Sequence, residues 1–195
     1  MTRGAKRLMQ RQRLQTLIEI AVMAAVAGVL SALTPLKAWW FYGGSISLAM
    51  VPIVVISFRR GWKAGVFCGF LVGLINYLLE PFIVHPVQVV LDYPVAYAAL
   101  GVAGAVSLRD TGKAGEAGVN ILRISAAVAL AGLFRLAAHF ISGVIWFAAY
   151  APEGLSPVLY SFLYNASYIL PDTFVSIAVM AVLIAKAPHL VRASR

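Results

Sequence analysis

The sequence has few charged residues and very few acidic ones. Asp and Glu together number 7 of 195 residues, and all charged residues make up 12% of the chain, about half the share that is typical of soluble domains. Hydrophobic residues make up 62%, and the mean hydropathy is +0.88. A water-soluble fold of this length could not bury so much apolar surface, whereas a bilayer accepts it directly. The composition therefore predicts an integral membrane protein.

Cysteine is nearly absent, and two common functional motifs are missing. The single Cys68 lies within an apolar run, so there is no disulfide framework and the thiol is expected to pack in the core. No GxxxxGK[ST] loop occurs, which argues against ATP hydrolysis by this chain. No small-residue cleavage pattern follows the first apolar run, so that run is expected to be retained as a helix.

The basic residues are confined to alternate gaps between the apolar runs. The net charge of +9 comes from clusters within residues 1–14, 59–63, 109–113 and 186–195, while the other gaps hold one Lys and no Arg. Nucleic-acid binding would also require a basic chain, but this placement is the positive-inside pattern of membrane proteins. Basic side chains at these places also suit anionic lipid headgroups. We expect both termini to be cytoplasmic and no nucleic-acid partner.

Six apolar runs are candidates for transmembrane helices, each of which needs about 20 residues to span the bilayer. The runs are 15–34, 46–58, 64–79, 88–107, 118–150 and 157–185. The second is short, which predicts an incomplete crossing or one led by a re-entrant loop. Pro and Gly residues mark the joints. The sequence thus predicts one all-α domain over 1–195, a six-transmembrane-helix bundle with the basic segment 1–14 in the cytoplasm.

Small residues spaced four apart occur on two of these runs. Such strips let another helix approach closely in lipid. We expect the strip on the third run to pack within the bundle, whereas for the first run contact with a different subunit is a serious competitor. The residues are Gly65, Gly69 and Gly73 on the third run, and Ala21, Ala24, Ala25 and Gly28 on the first.

Polar and aromatic residues are predicted to gather in the outer half of the bundle. Ionisable groups at membrane depth are costly and suggest a functional site. A carboxylate, an imidazole, an amide and aromatic rings would suit a flat polar or cationic ring, with the carboxylate as counter-charge. Aromatic residues near helix ends also fit an interfacial belt. The candidates are Trp40 in the first outer loop and Asp92, Tyr93, His139, Trp146, Tyr160 and Asn165 on the helices.

Three further ionisable residues are expected to have structural roles or to contact water. Arg135 is expected to pair with a carboxylate, Asp172 being one option, because an unpaired charge at membrane depth is unfavourable. Glu19 lies near the predicted inner interface, where we expect it to be hydrated.

Several motifs, in order along the chain, resemble those of one transporter family. They are Gly44-Ser-Ile-Ser-Leu-Ala-Met-Val-Pro, Arg59-Arg-Gly-Trp-Lys-Ala-Gly, Pro86-Val-Gln-Val-Val-Leu-Asp-Tyr-Pro, His139-Phe-Ile-Ser-Gly-Val-Ile-Trp-Phe, Tyr150-Ala-Pro-Glu-Gly and Tyr160-Ser-Phe-Leu-Tyr-Asn. Their order and spacing are similar to those of the thiamine-specific S-components (ThiT type) of energy-coupling factor (ECF) transporters. The resemblance covers most of the chain.

The resemblance implies a function and a set of partners. A six-helix S-component would bind thiamine from outside, with the first outer loop as a lid and no cofactor. Its helix-one strip, Ala21 to Gly28, would dock onto an EcfT-type membrane coupling subunit that works with two cytoplasmic ATPases. The protein would then lie in the plasma membrane of a prokaryote.

The resemblance also implies site residues, with two departures from the family pattern. The family's acid–tyrosine pair falls on Asp92 and Tyr93, its histidine on His139, and its Tyr and Asn of helix six on Tyr160 and Asn165. Its stacking Trp aligns with Phe147, whereas this chain has Trp146 one residue earlier, so either ring is a candidate for stacking. An acid expected in the first outer loop is absent, because residues 35–47 contain none.

Three alternative functions stay open at the level of sequence. An S-component for another small vitamin or precursor, such as hydroxymethylpyrimidine, would use a similar site. A membrane enzyme could use His139 and Asp92 as acid and base, although no metal-ligand spacing or nucleophile motif accompanies them. A self-sufficient secondary transporter would be expected to carry paired broken helices in an inverted repeat, and none is apparent.

Overall fold

The computed structural model describes residues 3–33, 44–105 and 121–191, and all regular secondary structure in these ranges is helical. The first helix begins at Arg3, so most of the basic segment 1–14 is helical and continues directly into the first apolar run. In the fifth predicted run, the α-helix ends at Trp146, and a short 3-10 turn, Ala148–Tyr150, follows it. The helices are α1 (Arg3–Ala32), α2 (Met50–Arg60), α3 (Trp62–Leu79), α4 (Pro86–Ala105), α5 (Ile121–Trp146), α6 (Pro157–Lys186) and a last short helix, α7 (Pro188–Val191).

Five of these helices, α1 and α3 to α6, are long and apolar enough to cross a membrane. The prediction of an all-helical membrane protein is confirmed. The exception, α2, has 11 residues and a length of about 17 Å, well below the hydrocarbon thickness of about 30 Å. All its residues from Met50 to Phe58 are buried. A helix that is buried on every side lies inside a bundle, so α2 packs among the other helices of the chain.

The glycine strip of α3 faces α4 and sets how closely the two helices approach. A Cβ atom added at Gly65 would collide with the backbone of Gly101, one at Gly69 with the Tyr97 carbonyl, and one at Gly73 with the Tyr93 carbonyl. Any side chain larger than hydrogen would therefore push α4 away. The prediction that these glycines pack within the bundle is confirmed.

Helix α4 contains a widened π-helical turn, Leu91–Val95, opposite Gly73. Pro94 lies inside this turn; in a regular α-helix its ring would clash with the carbonyl four residues earlier. The wider turn relieves that clash. The Tyr93 carbonyl consequently lies where only a glycine at position 73 leaves room for it. Turns of this kind are frequent at functional sites, and this one carries Asp92 and Tyr93.

An ion cluster joins three elements at the end of the bundle where α2 meets α3. Both Arg59 and Arg60 donate from Nε to Glu19 Oε2, at 2.9 and 2.8 Å, and Arg60 also donates to Oε1 at 2.6 Å. Arg59 further donates to the carbonyl of His189 in α7 at 2.9 Å. The expectation that Glu19 is simply hydrated is therefore wrong, because its carboxylate links α1 to the basic end of α2.

The small residues of α1 do not share one face. Ala24 is buried in the core, and a Cβ atom at Gly28 would lie 2.8 Å from Ile75 of α3, so these two residues face the bundle. Ala21 and Ala25 are exposed. Of the four residues of the predicted docking strip, Ala24 and Gly28 therefore contact other parts of this chain, whereas Ala21 and Ala25 lie on the exposed side of α1.

Replacing Gly69 with alanine is expected to lower the thermal stability of the protein. The new methyl group would overlap the Tyr97 carbonyl, and overpacking of this kind costs about 1–3 kcal/mol. The measurement is a thermal unfolding curve of Gly69→Ala in detergent. The matched control is Gly4→Ala, because a Cβ atom there meets nothing within 4 Å. Equal melting temperatures for the two variants would contradict the close α3–α4 contact.

Candidate ligand-binding site

A cavity of about 360 Å³ opens at the end of the bundle where α3 ends and α4 begins. Its volume lies within the range of small-molecule sites, about 300–1,000 Å³. Helices α1 and α3 to α6, together with the segments before α2 and after α3, supply the walls. The lining residues include Glu80, Phe82, Gln88, Asp92, Tyr93, Arg135, His139, Phe147, Tyr160 and Asn165.

Asp92 is the centre of the hydrogen-bond network in this cavity. Its Oδ1 lies 3.1 Å from Nδ1 of His139, and its Oδ2 accepts from the Ser142 hydroxyl at 2.9 Å and from the Gln88 side-chain amide at 2.7 Å. A buried carboxylate needs such donors, because leaving it unsatisfied in a low-dielectric environment is very unfavourable. The network fixes the Asp92 carboxylate between α4 and α5 and orients the His139 ring.

Gln88 and Tyr93 attach the segment 80–85 to α4. The Gln88 side chain accepts from the Val84 amide at 3.0 Å and donates to the Phe82 carbonyl at 3.1 Å. The Tyr93 hydroxyl accepts from the Phe82 amide at 2.8 Å and donates to the Glu80 carbonyl at 2.9 Å. This segment therefore forms a fixed edge of the cavity.

Asn165 joins α6 to α5 at the cavity wall. Its amide nitrogen donates to the Ser161 carbonyl at 2.9 Å and to the His139 carbonyl at 3.3 Å, and its oxygen accepts from the Tyr168 hydroxyl at 2.8 Å. A Cβ atom at Gly143 would collide with the Ser161 side chain, so the two helices are in close contact here. Asn165 holds the wall together as well as lining it.

A buried ion pair lies next to the cavity. Arg135 donates from a terminal nitrogen to Asp172 Oδ2 at 2.6 Å, and the two side chains are 4% and 0% exposed. The other Asp172 oxygen accepts from the Ser47 amide at 2.9 Å, and the Arg135 guanidinium lies 4.8 Å from the centre of the Tyr97 ring. The predicted pairing of Arg135 with Asp172 is confirmed. The ion pair and the Ser47 hydrogen bond together link the segment before α2 to α5 and α6.

Two buried nitrogen atoms of cavity-lining residues have no hydrogen-bond partner among the described residues. They are Nε of Arg135 and Nε2 of His139. Unpaired buried polar atoms are rare in folded proteins. Because both side chains line the same cavity, a polar ligand bound there would satisfy atoms that the protein itself leaves unpaired.

The structure brings most of the predicted site residues together. Asp92, Tyr93, His139, Phe147, Tyr160 and Asn165 all line the cavity. Trp146 does not; its ring stacks on His85 at a centroid distance of 5.4 Å. Phe147, the first residue after the end of α5, stacks on Phe82 at 5.8 Å. Trp40 lies outside the described residues.

Of the ten lining residues named above, Glu80, Phe82 and Gln88 were not singled out from the sequence. Gln88 could have been found, because it precedes Asp92 by four residues and such residues share a helix face. Phe82 and Glu80 belong to a segment between helices, and no periodicity places them. Among the described residues, no group of three His, Cys, Asp or Glu side chains could hold a metal ion.

Comparison with known proteins gives consistent matches over nearly the whole chain. The family model "Thiamine transporter protein (Thia_YuaJ)" matches residues 17–192. The chain is 40% identical over 189 residues to thiamine transporter ThiT of Bacillus subtilis (strain 168), covering 95% of this chain and 98% of that one. It is 30% identical over 193 residues to thiamine transporter ThiT of Lacticaseibacillus paracasei, covering 94% and 93% of the respective chains. A solved structure of ThiT from Listeria monocytogenes superposes with a TM-score of 0.82 at 31% identity, covering 93% of this chain and 99% of that one.

Removing one partner of the buried ion pair is expected to destabilise the protein strongly. Asp172→Ala leaves the Arg135 charge uncompensated inside the bundle, which costs about 3–5 kcal/mol. The double variant Arg135→Met, Asp172→Leu removes both charges and should recover most of that loss. Chemical denaturation in detergent measures all three unfolding free energies. A double variant no more stable than Asp172→Ala would contradict the assigned pairing.

Proposed function

The chain belongs to the thiamine transporter family, and from this premise we propose that it is a thiamine-capturing S-component of an ECF transporter. One observation carries the proposal: a single cavity is lined by a carboxylate, an imidazole and several aromatic rings. Thiamine consists of an aminopyrimidine joined to a cationic thiazolium, and these groups match that chemistry. The family is one of transport proteins rather than enzymes.

The proposed roles of the lining residues follow from their contacts. The Asp92 carboxylate supplies negative charge for the cationic ligand, and the three donors around it hold it in place. When the His139 Nδ1 hydrogen points to Asp92, the free Nε2 is an acceptor and suits the exocyclic amine of the pyrimidine. Phe147 and Tyr160 offer ring faces for stacking, and cation–π attraction favours a charged ring. Tyr93 and Asn165 hold the walls and add polar contacts.

We place the cavity on the outer side and both termini in the cytoplasm of a prokaryotic cell. The basic cluster Arg59, Arg60 and Lys63 lies where α2 meets α3, and α3 runs from there to the cavity mouth at Glu80. Because basic residues accumulate on the cytoplasmic side, the opposite end opens outward. The family resemblance implies that the first outer loop is a lid; residues 34–43 of that loop lie outside the described residues.

The exposed side of α1 is the proposed docking surface for the membrane coupling subunit and its two ATPases. Ala21 and Ala25 are exposed and lie one turn apart, with exposed Ile18 and Val22 beside them. Small residues four apart permit a close helix–helix contact in lipid. The chain has no phosphate-binding loop of its own, so the energy for release would come from those partners.

The central prediction concerns thiamine binding by the purified protein. Calorimetric titration should give saturable binding, and Asp92→Ala and His139→Ala should each weaken it by about tenfold or more, as expected for central polar contacts of a site. Loss of the thiazolium should cost most of the affinity, so hydroxymethylpyrimidine should bind much more weakly. The control is Glu153→Gln, an exposed residue outside the cavity lining. Equal affinities for thiamine and the pyrimidine would favour the precursor as the ligand, and unchanged affinity in both variants would refute the site.

A second prediction separates docking from ligand binding. Ala25→Trp should block assembly with the coupling subunit and abolish thiamine uptake, because the indole fills the flat strip. Thiamine binding by the isolated chain should stay unchanged, since Ala25 lies outside the cavity lining. Co-purification and cellular uptake measure the two effects. The control is Ala126→Trp, at an exposed position on α5; loss of assembly in both variants would argue against a specific strip.

A further inference from the structure

Gln88 is a buried polar side chain to which the proposed function assigns no role. It is 1% exposed, lies in the first turn of α4 and belongs to the cavity lining. Burying an amide is unfavourable unless its hydrogen-bonding groups have partners. The partners of Gln88 come from two different parts of the site, which makes this side chain a connection between them.

The amide of Gln88 is shared between the Asp92 carboxylate and the segment 82–84. Its nitrogen donates to Asp92 Oδ2 at 2.7 Å and to the Phe82 carbonyl at 3.1 Å, and its oxygen accepts from the Val84 amide at 3.0 Å. An amide nitrogen has two hydrogens, so these two acceptors use both of them. Gln88 therefore cannot move toward one acceptor without lengthening its hydrogen bond to the other.

The chemistry of the three partners also fixes the orientation of the Gln88 amide. A backbone N–H only donates, whereas a carbonyl or an ionised carboxylate only accepts. Rotating the amide by half a turn would place its oxygen against two acceptors and its nitrogen against the Val84 N–H. Hydrogen bonds to a carboxylate are about twice as strong as those between neutral groups. The bond to Asp92 is also the shortest of the three.

The segment that Gln88 holds carries an aromatic edge of the cavity, formed by Phe82 and Phe147. The two rings stack with their centroids 5.8 Å apart and their planes at 22°, and both residues line the cavity. The carbonyl of Phe82 is the one that accepts from Gln88. A single side chain thus relates the position of the Asp92 carboxylate to the position of this aromatic edge.

We propose that Gln88 is a positioning residue that acts on the ligand through Asp92 and couples this carboxylate to the aromatic edge. The inference rests on the proposed function, in which Asp92 and Phe147 contact thiamine. A ligand that holds the carboxylate also restricts the Gln88 amide, and with it the segment 82–84. The Ser142 hydroxyl donates to the same Asp92 oxygen at 2.9 Å from α5, and it provides a comparison because it holds the carboxylate from another helix.

The first test is a double-mutant cycle on thiamine affinity, measured by calorimetric titration. Gln88→Met removes the hydrogen bonds at nearly constant side-chain length and should weaken thiamine binding about tenfold, as expected for losing a hydrogen bond to a charged group. In the Asp92→Ala background the same substitution should cost less than about twofold, because the effects of residues in one network are not additive. Equal losses in both backgrounds, or no loss in either, would overturn the positioning role.

The matched control is Gln15→Met, the same substitution at an exposed position of α1 outside the cavity lining. It should change the affinity by no more than about twofold in either background. Gln88→Asn replaces Gln88→Met in the cycle if the latter does not fold. Its amide is one methylene group closer to the backbone, so it cannot reach both acceptors, and the same non-additive result is expected.

The second test is hydrogen exchange of the backbone amides of residues 82–85, with and without saturating thiamine. Thiamine should slow this exchange in the wild-type protein and in Ser142→Ala, whereas Gln88→Met should lose most of the effect. Equal slowing in Gln88→Met, or none in the wild-type protein, would contradict the coupling while leaving thiamine binding intact. Failure of the wild-type protein to bind thiamine would instead overturn the proposed function, and this inference with it.

Discussion

The close approach of α3 and α4 is the constraint on which the rest of the site depends. Three glycines on α3 let the backbone of α4 come into direct contact, and each is opposite a different turn of that helix. At the contact nearest the cavity, Gly73 accommodates the carbonyl displaced by the π-helical turn around Pro94. That turn carries Asp92 into contact with α5. A larger residue at position 73 would move the carboxylate that organises the cavity.

Two carboxylates inside the bundle, the buried Asp172 and the partly buried Asp92, are stabilised in different ways. Asp172 is paired with Arg135 and capped by the Ser47 amide, so its charge is neutralised within the bundle. Asp92 accepts hydrogen bonds from Gln88 and Ser142 and lies 3.1 Å from Nδ1 of His139, and no Lys or Arg of the described residues pairs with it. Hydrogen bonds hold a carboxylate in place without cancelling its charge. Asp172 is thus held by an arginine, whereas Asp92 is held by neutral donors and an imidazole.

The sequence predicted the properties that belong to individual segments better than those that depend on how the segments pack together. Apolar runs, basic gaps and small-residue spacing are local properties, and they predicted the helical membrane fold and the internal contact of the α3 glycines. The run 46–58 was predicted to be too short for a full crossing, and its helix α2 has 11 residues; its burial on all sides was not predicted. Asp92 and His139 were found because ionisable residues at membrane depth are rare. Each segment that crosses a bilayer must be apolar and nearly free of charge, so the composition of a segment indicates whether it spans the membrane.

Other features were decided only by the tertiary structure. The α-helix ends at Trp146 and the chain turns at Phe147, so spacing alone could not choose between the two rings, of which Phe147 lines the cavity. Along α1, a rotation of about 100° per residue buries Ala24 and exposes Ala25. Glu19 meets its arginines, and Glu80 reaches the cavity, across elements that are distant or irregular in sequence. The sequence by itself determined the membrane fold and the chemical inventory of the site, because hydropathy and charge act on each segment. The contacts between side chains of different helices could be identified only from the packed structure.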